Sequence, residues 1–87
     1  MRRAVVSIAG NIAEGDEMDS DKQSIRYFRI AKGSSGELYT HTEVAYQIGY
    51  IEEEERKHIQ TECVAISGML GNLIKSRKRG IWNPLAL

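Results

Sequence analysis

RRAVVSIAGNIAEG, residues Arg2 to Gly15, reads as an amphipathic helix. On a wheel of 3.6 residues per turn, Met1, Val5, Ile8 and Ile12 fall on one side, flanked by Ala4, Ala9 and Ala13. Arg3, Ser7, Asn11 and Glu14 stack on the other side. No Ser, Thr, Asp or Asn stands ahead of it to accept from the first-turn N–H groups, so the expectation is either a frayed first turn or further chain upstream. Gly15 is expected to end the helix as a C-cap.

Beyond the loop Asp16–Asp19, Ser20 is a good N-cap with Asp21 in the first turn behind it. The positions Phe28, Ala31, Ser35, Leu38, Thr42 and Ala45 step by three and four, a coiled-coil-like seam ending near Ile48, before Gly49. A helix of that length spans ~43 Å. Gly33 and Gly36 sit at its centre, each costing about 1 kcal/mol relative to Ala. Either a neighbouring helix approaches closely there or the helix kinks or breaks. After a hinge at Tyr50 and Ile51, the acids Glu52 to Glu55 suit the positive end of a third helix. Its seam is Ile59, Cys63, Ile66, Leu70 and Leu73, widened by Met69 and Ile74; Lys75, Arg77 and Lys78 close its last turn, and Gly80 stops it. These elements predict an all-α fold, an antiparallel up-down bundle of three helices at about residues 2–14, 20–48 and 52–79. The bundle domain covers 1–80 and a tail covers 81–87. That tail, IWNPLAL, is apolar and interrupted by Pro84, and is expected to dock on a neighbour.

A chain of 87 residues with one Pro and 41% hydrophobic content has room for one thin core. A domain of this size buries only about 60% of its unfolded surface. Three helices with wide apolar arcs cannot hide all of them from water, so a homo-oligomer is expected. Cys63 is the sole cysteine and has no partner for an intrachain disulfide. No apolar run is long enough to cross a bilayer and no signal-type segment opens the chain, which fits a reducing, cytoplasmic setting. Twelve Lys and Arg balance twelve Asp and Glu, against bulk polycation behaviour. The distribution is uneven. Residues 1–21 carry Arg2 and Arg3 against five acids, whereas residues 56–87 carry Arg56, Lys57, Lys75, Arg77, Lys78 and Arg79 against Glu62 alone.

Enzymatic readings are weak. Glu55 and His58 have the Glu-x-x-His spacing of di-iron bundles, but such sites need a second copy and two more inward Glu residues. Cys63 lies on an apolar seam and reads as a structural thiol rather than a nucleophile. Gly-rich phosphate loops, paired zinc-ligand motifs and Gly-x-Ser-x-Gly elbows do not occur, so no catalytic residue, metal or cofactor is expected. Arg3, Asn11, Glu14 and Glu37 form a candidate structural polar network. In it Glu37 either pairs with Arg3 or Arg2 across the first two helices, setting their register, or stays exposed at the rim.

Lys75, Arg77, Lys78 and Arg79, extended by Arg26, Arg29 and Lys32 on the second helix, are the candidate nucleic-acid-binding residues. Trp82 and the tyrosines are candidate stacking groups. The competing reading is that the basic run only caps the third helix, with Tyr39, Tyr46 and Phe28 filling a core. The contrasting function is a protein–protein assembly module, or a shortened copy without a nucleic-acid role, using the apolar tail and the open bundle face.

The segments RRAVVSIAGNIAEG, Ser20, FRIAKGSSGEL (Phe28–Leu38) and AYQIGYI (Ala45–Ile51), in that order, resemble the four-helix-bundle family of 23S rRNA intervening-sequence proteins. In that family a further helix precedes the segment that opens this chain. This chain departs at Ala9-Gly10, where the family commonly has Pro-Ser, and at Tyr39 and Thr42. Glu52 stands where an N-cap Ser is usual, weakening that helix start by about 1 kcal/mol. The resemblance implies a bacterial protein, a ring of five bundles, and RNA or a nucleic-acid-handling protein as a partner. Ring assembly would multiply weak phosphate contacts through avidity.

Overall fold

The computed structural model describes residues 2–81. It contains α1 (Arg2–Glu17), α2 (Asp21–Gln47) and α3 (Glu53–Ile81), with no strand among the described residues. The links between them are short, which makes successive helices antiparallel neighbours. Met1 and the tail from Trp82 to Leu87 lie outside the described residues, so the expected seam position of Met1 and the docking of the tail do too.

Local chemistry accounts for most helix ends. Ser20 is extended (φ −100°, ψ 130°) and its hydroxyl accepts from the Gln23 N–H, capping α2 as expected. At the far end Gly49 takes φ +84°, its N–H bonding Tyr46 O at 3.1 Å while the Tyr50 N–H bonds Ala45 O at 2.8 Å. This pair of bonds is a Schellman motif, which needs the left-handed residue that glycine supplies without strain. At the start of α3 the Glu52 N–H donates to Glu55 Oε1 at 3.4 Å. The acidic run therefore provides half of a capping box itself, in place of a Ser cap.

Gly15 departs from expectation. The helix runs on through it to Glu17, and Gly15 is buried. Its value lies in having no side chain: a Cβ there would stand 2.6 Å from Phe28 Cε1. The Ser24 hydroxyl reaches across to donate to Gly15 O at 2.7 Å. Gly33 and Gly36 reverse the expectation in the other sense. They lie in an unbroken α2 with nothing within 4 Å of a built Cβ, because they occupy the side of α2 opposite its packed seam. At its C-terminus α3 continues past Gly80 to Ile81.

The centre of the molecule is α2. Both α1 and α3 pack on it, and among the described residues no Cα of α1 lies within 8 Å of a Cα of α3. The result is a slab of 57 × 19 × 13 Å. The α2 seam is buried at Phe28, Ala31, Ser35, Leu38 and Thr42, as the sequence spacing predicts. One apolar cluster joins Ile25, Phe28 and Ala31 to Leu70 and Ile74, and the other joins Ile8, Leu38 and Cys63. Val5 and Met69, expected on apolar arcs, are 54% and 46% exposed. Hydroxyls inside the α2 seam are satisfied: Ser35 donates to Cys63 O at 3.1 Å and Thr42 to Leu38 O at 2.7 Å. No described helix is long and apolar enough to cross a membrane.

Candidate nucleic-acid interface

Two stretches, Lys22–Gly36 and Cys63–Ile81, contain no Asp or Glu. The antiparallel packing of α2 on α3 brings them side by side, and Lys32 Nζ lies 3.9 Å from where a Cβ of Gly71 would stand. Arg26, Arg29 and Lys32 on α2 and Lys75, Lys78 and Arg79 on α3 are all exposed. Lys22 joins them, because Lys22, Arg26 and Arg29 recur at i, i+4 and i+7 and line one depression of about 630 Å³ with Ile25 and Ile30. Sequence reasoning omitted Lys22, although that spacing was the signal that could have found it. Among the described residues, none of these seven cations lies within 4.0 Å of a carboxylate. Lys78 and Arg79 also sit in the last turn of α3, where the helix dipole favours them.

Arg77 is separate from this group. Its guanidinium lies 3.7 Å from Asp16 and 3.7 Å from Asp21, 5.9 Å above the Phe28 ring. It fastens the end of α3 to the α1–α2 connection, and its charge is already answered by two carboxylates.

The polar stripe of α1 meets α2 differently from the sequence expectation. Asn11 Nδ2 donates to Ser7 O at 2.8 Å and to Ser7 Oγ at 3.2 Å, and the Ser7 and Ser34 hydroxyls bond each other at 3.0 Å. Arg3, Glu14 and Glu37 are exposed. Glu37 and Arg3 face one cavity of about 350 Å³ together with His41, but no ion pair joins Glu37 to Arg2 or Arg3 among the described residues. The side-chain hydrogen bonds that cross between α1 and α2 come from hydroxyls, Ser7 with Ser34 and Ser24 with Gly15 O, while the long charged side chains at the rim stay in water.

A second polar cluster, at the α2–α3 hinge, was not read from the sequence. Gln60 Nε2 donates to Tyr39 O at 3.3 Å and to Glu43 Oε1 at 3.2 Å, and Gln47 donates to the other Glu43 oxygen at 2.9 Å. Arg56 lies 3.7 Å from Glu43 and 4.5 Å above the Tyr46 ring. The amide hydrogen bonds from Gln47 and then Gln60, with the Arg56 charge, hold the Glu43 carboxyl below its ordinary value. The pattern visible beforehand was only a charged helix start.

Between α1 and α3, on the floor formed by α2, runs an apolar groove of about 410 Å³ lined by Ile8, Ile12, Leu38, Ile59 and Ile66. Cys63 also lines it, 2% exposed, and burial pushes its thiol above the usual range. A thiol so protonated is a poor nucleophile. Among the described residues no group of three or more His, Cys, Asp or Glu could hold a metal ion.

Compared with models of known families, the chain matches the one described as 23S rRNA-intervening sequence protein over residues 1–72. No curated protein and no solved structure matches it. The matched span takes in α1, the hydroxyl-rich seam of α2 and α3 as far as Asn72, the same segments that build the slab. The chain therefore belongs to the 23S rRNA-intervening sequence protein family.

Proposed function

We propose that this is a non-enzymatic, homo-oligomeric helical protein of the bacterial cytoplasm that binds RNA along the outer surface of α2 and α3. The observation that carries the reading is the acid-free juxtaposition of Lys22, Arg26, Arg29, Lys32, Lys75, Lys78 and Arg79 in a chain of zero net charge. Segregated charge of this kind attracts phosphates although the total is balanced, because screening limits each cation to neighbours within about 10 Å. Arg77, already paired, is left out of the binding set.

Filter binding of RNA at increasing salt tests this. Affinity should fall steeply with salt, and replacing Lys32, Lys75, Lys78 and Arg79 by Ala should flatten the slope by about 0.7 for each phosphate no longer neutralised. No binding at low salt refutes the reading.

The apolar groove supports a second role, self-assembly. A strip lined by Ile8, Ile12, Ile59 and Ile66 and open to water favours association, and the proposed form is a ring of five. Light scattering after size exclusion tests it, and a stable monomer at micromolar concentration refutes it. A protein–protein assembly module without RNA binding is the alternative that the same two experiments separate.

A further inference from the structure

Resting on the RNA-binding reading, we infer that the α2–α3 surface takes single-stranded rather than duplex RNA, seating one unpaired base on Tyr39. Tyr39 follows Lys32 by seven residues, two turns of helix, so it lies on nearly the same face about 10 Å further along. Both residues stand against α3. Lys32 meets Gly71, and Tyr39, Lys57, Gln60, Thr61 and Val64 line a shallow cup of about 310 Å³. Tyr39 is 42% exposed and Val64 is 63% exposed, so the basic strip ends in a cup of mixed lining that presents an aromatic ring and an aliphatic side chain to water.

The chemistry selects the ligand. A duplex presents phosphates and sugars outward and keeps its base faces stacked, so it would use the cations and leave Tyr39 and Val64 against water. A single strand tracks phosphates along the cations and lays a base face on the ring, which tolerates any base. Gln60, the amide in the lining of the cup, has its groups engaged by Tyr39 O, Glu43 and Arg56 and offers no base-specific readout. Beyond the cup Glu43 and Glu53 pair with Arg56, and Glu53 also with Lys57, so the run of unpaired cations ends there.

The test is fluorescence anisotropy of the full chain with a labelled oligouridylate and with an RNA duplex of equal length, at one salt concentration. The oligouridylate should bind more tightly than the duplex. Tyr39→Ala should weaken it about tenfold, while leaving duplex affinity unchanged, and Tyr39→Phe should retain wild-type affinity. Val64→Glu, a change on the exposed side of α3, should weaken the single strand more than the duplex. Duplex binding equal to or tighter than single-strand binding overturns the inference, as does a silent Tyr39→Ala in a protein that circular dichroism reports folded. If RNA binding persists, depends on Lys32, Lys75 and Lys78, and ignores Tyr39, the stacking inference falls and the broader reading stands. Absence of binding to either RNA removes both.

Discussion

One added methyl at Gly15 and one at Gly33 should move stability in opposite directions. A Cβ at residue 15 would stand 2.6 Å from Phe28 Cε1, 2.9 Å from Cδ1 and 3.2 Å from Tyr27 Cβ. Carbon atoms settle about 3.5–4.0 Å apart, so α1 must retreat from α2 by about 1 Å or Phe28, at 1% exposure, must leave its place in the core. Overpacking of this kind costs about 1–3 kcal/mol. The same retreat stretches the 2.7 Å bond from Ser24 to Gly15 O, with about 1 kcal/mol more at stake. Alanine's better helix propensity returns about 1 kcal/mol. The net loss is about 1–3 kcal/mol, a fall in Tm of roughly 5–20 °C for a domain this small. Gly33→Ala meets nothing within 4 Å and keeps the propensity gain, raising Tm by about 4–8 °C. Circular-dichroism melts at one fixed protein concentration decide it, since self-association makes Tm concentration-dependent. A Gly15→Ala protein melting at or above wild type would refute the close approach of α1 to α2.

Leu70→Ala, at a fully buried position, should cost about 2–5 kcal/mol in urea unfolding, whereas Ile30→Ala, on a residue 45% exposed, should stay within about 0.5 kcal/mol. The Glu43 carboxyl is held below its ordinary value of 4.5 by Gln47 and Gln60, so it stabilises the folded chain above that value and loses the contribution as pH falls through the lower folded one. Wild type should therefore lose stability relative to Glu43→Gln as pH falls below about 4.5; parallel pH profiles would contradict the hinge network. Cys63, 2% exposed with its thiol pushed up by burial, should alkylate far more slowly in the native protein than in urea, as mass spectrometry of timed samples reads directly. Equal rates in both would place it at the surface.

Helix positions and packed faces were legible from residue order because both follow from local periodicity. The α2 seam of Phe28, Ala31, Ser35, Leu38 and Thr42 is a repeat of three and four residues, and nothing distant is needed to see it. The same holds for Ser20 as a cap and for Gly49 past the end of α2, where the backbone alone sets the requirement. The cationic strip was half legible: the residue types were visible, but pairing Lys32 with the Gly71 turn of α3 required the antiparallel register.

Docking settled the rest. Gly15 resembles a helix stop until Phe28 arrives over it from α2, and Gly33 and Gly36 resemble packing sites until α3 is found on another side of the helix. Arg77 reads as one member of a basic run, yet Asp16 and Asp21, from the other end of the sequence, meet its guanidinium. Glu43 gains Gln60 and Arg56 only when the hinge folds α3 back along α2. Each of these roles belongs to a pair of residues far apart in the chain. Periodicity reports which side of a helix is apolar; which turn of a neighbour covers it is fixed by side-chain packing between helices.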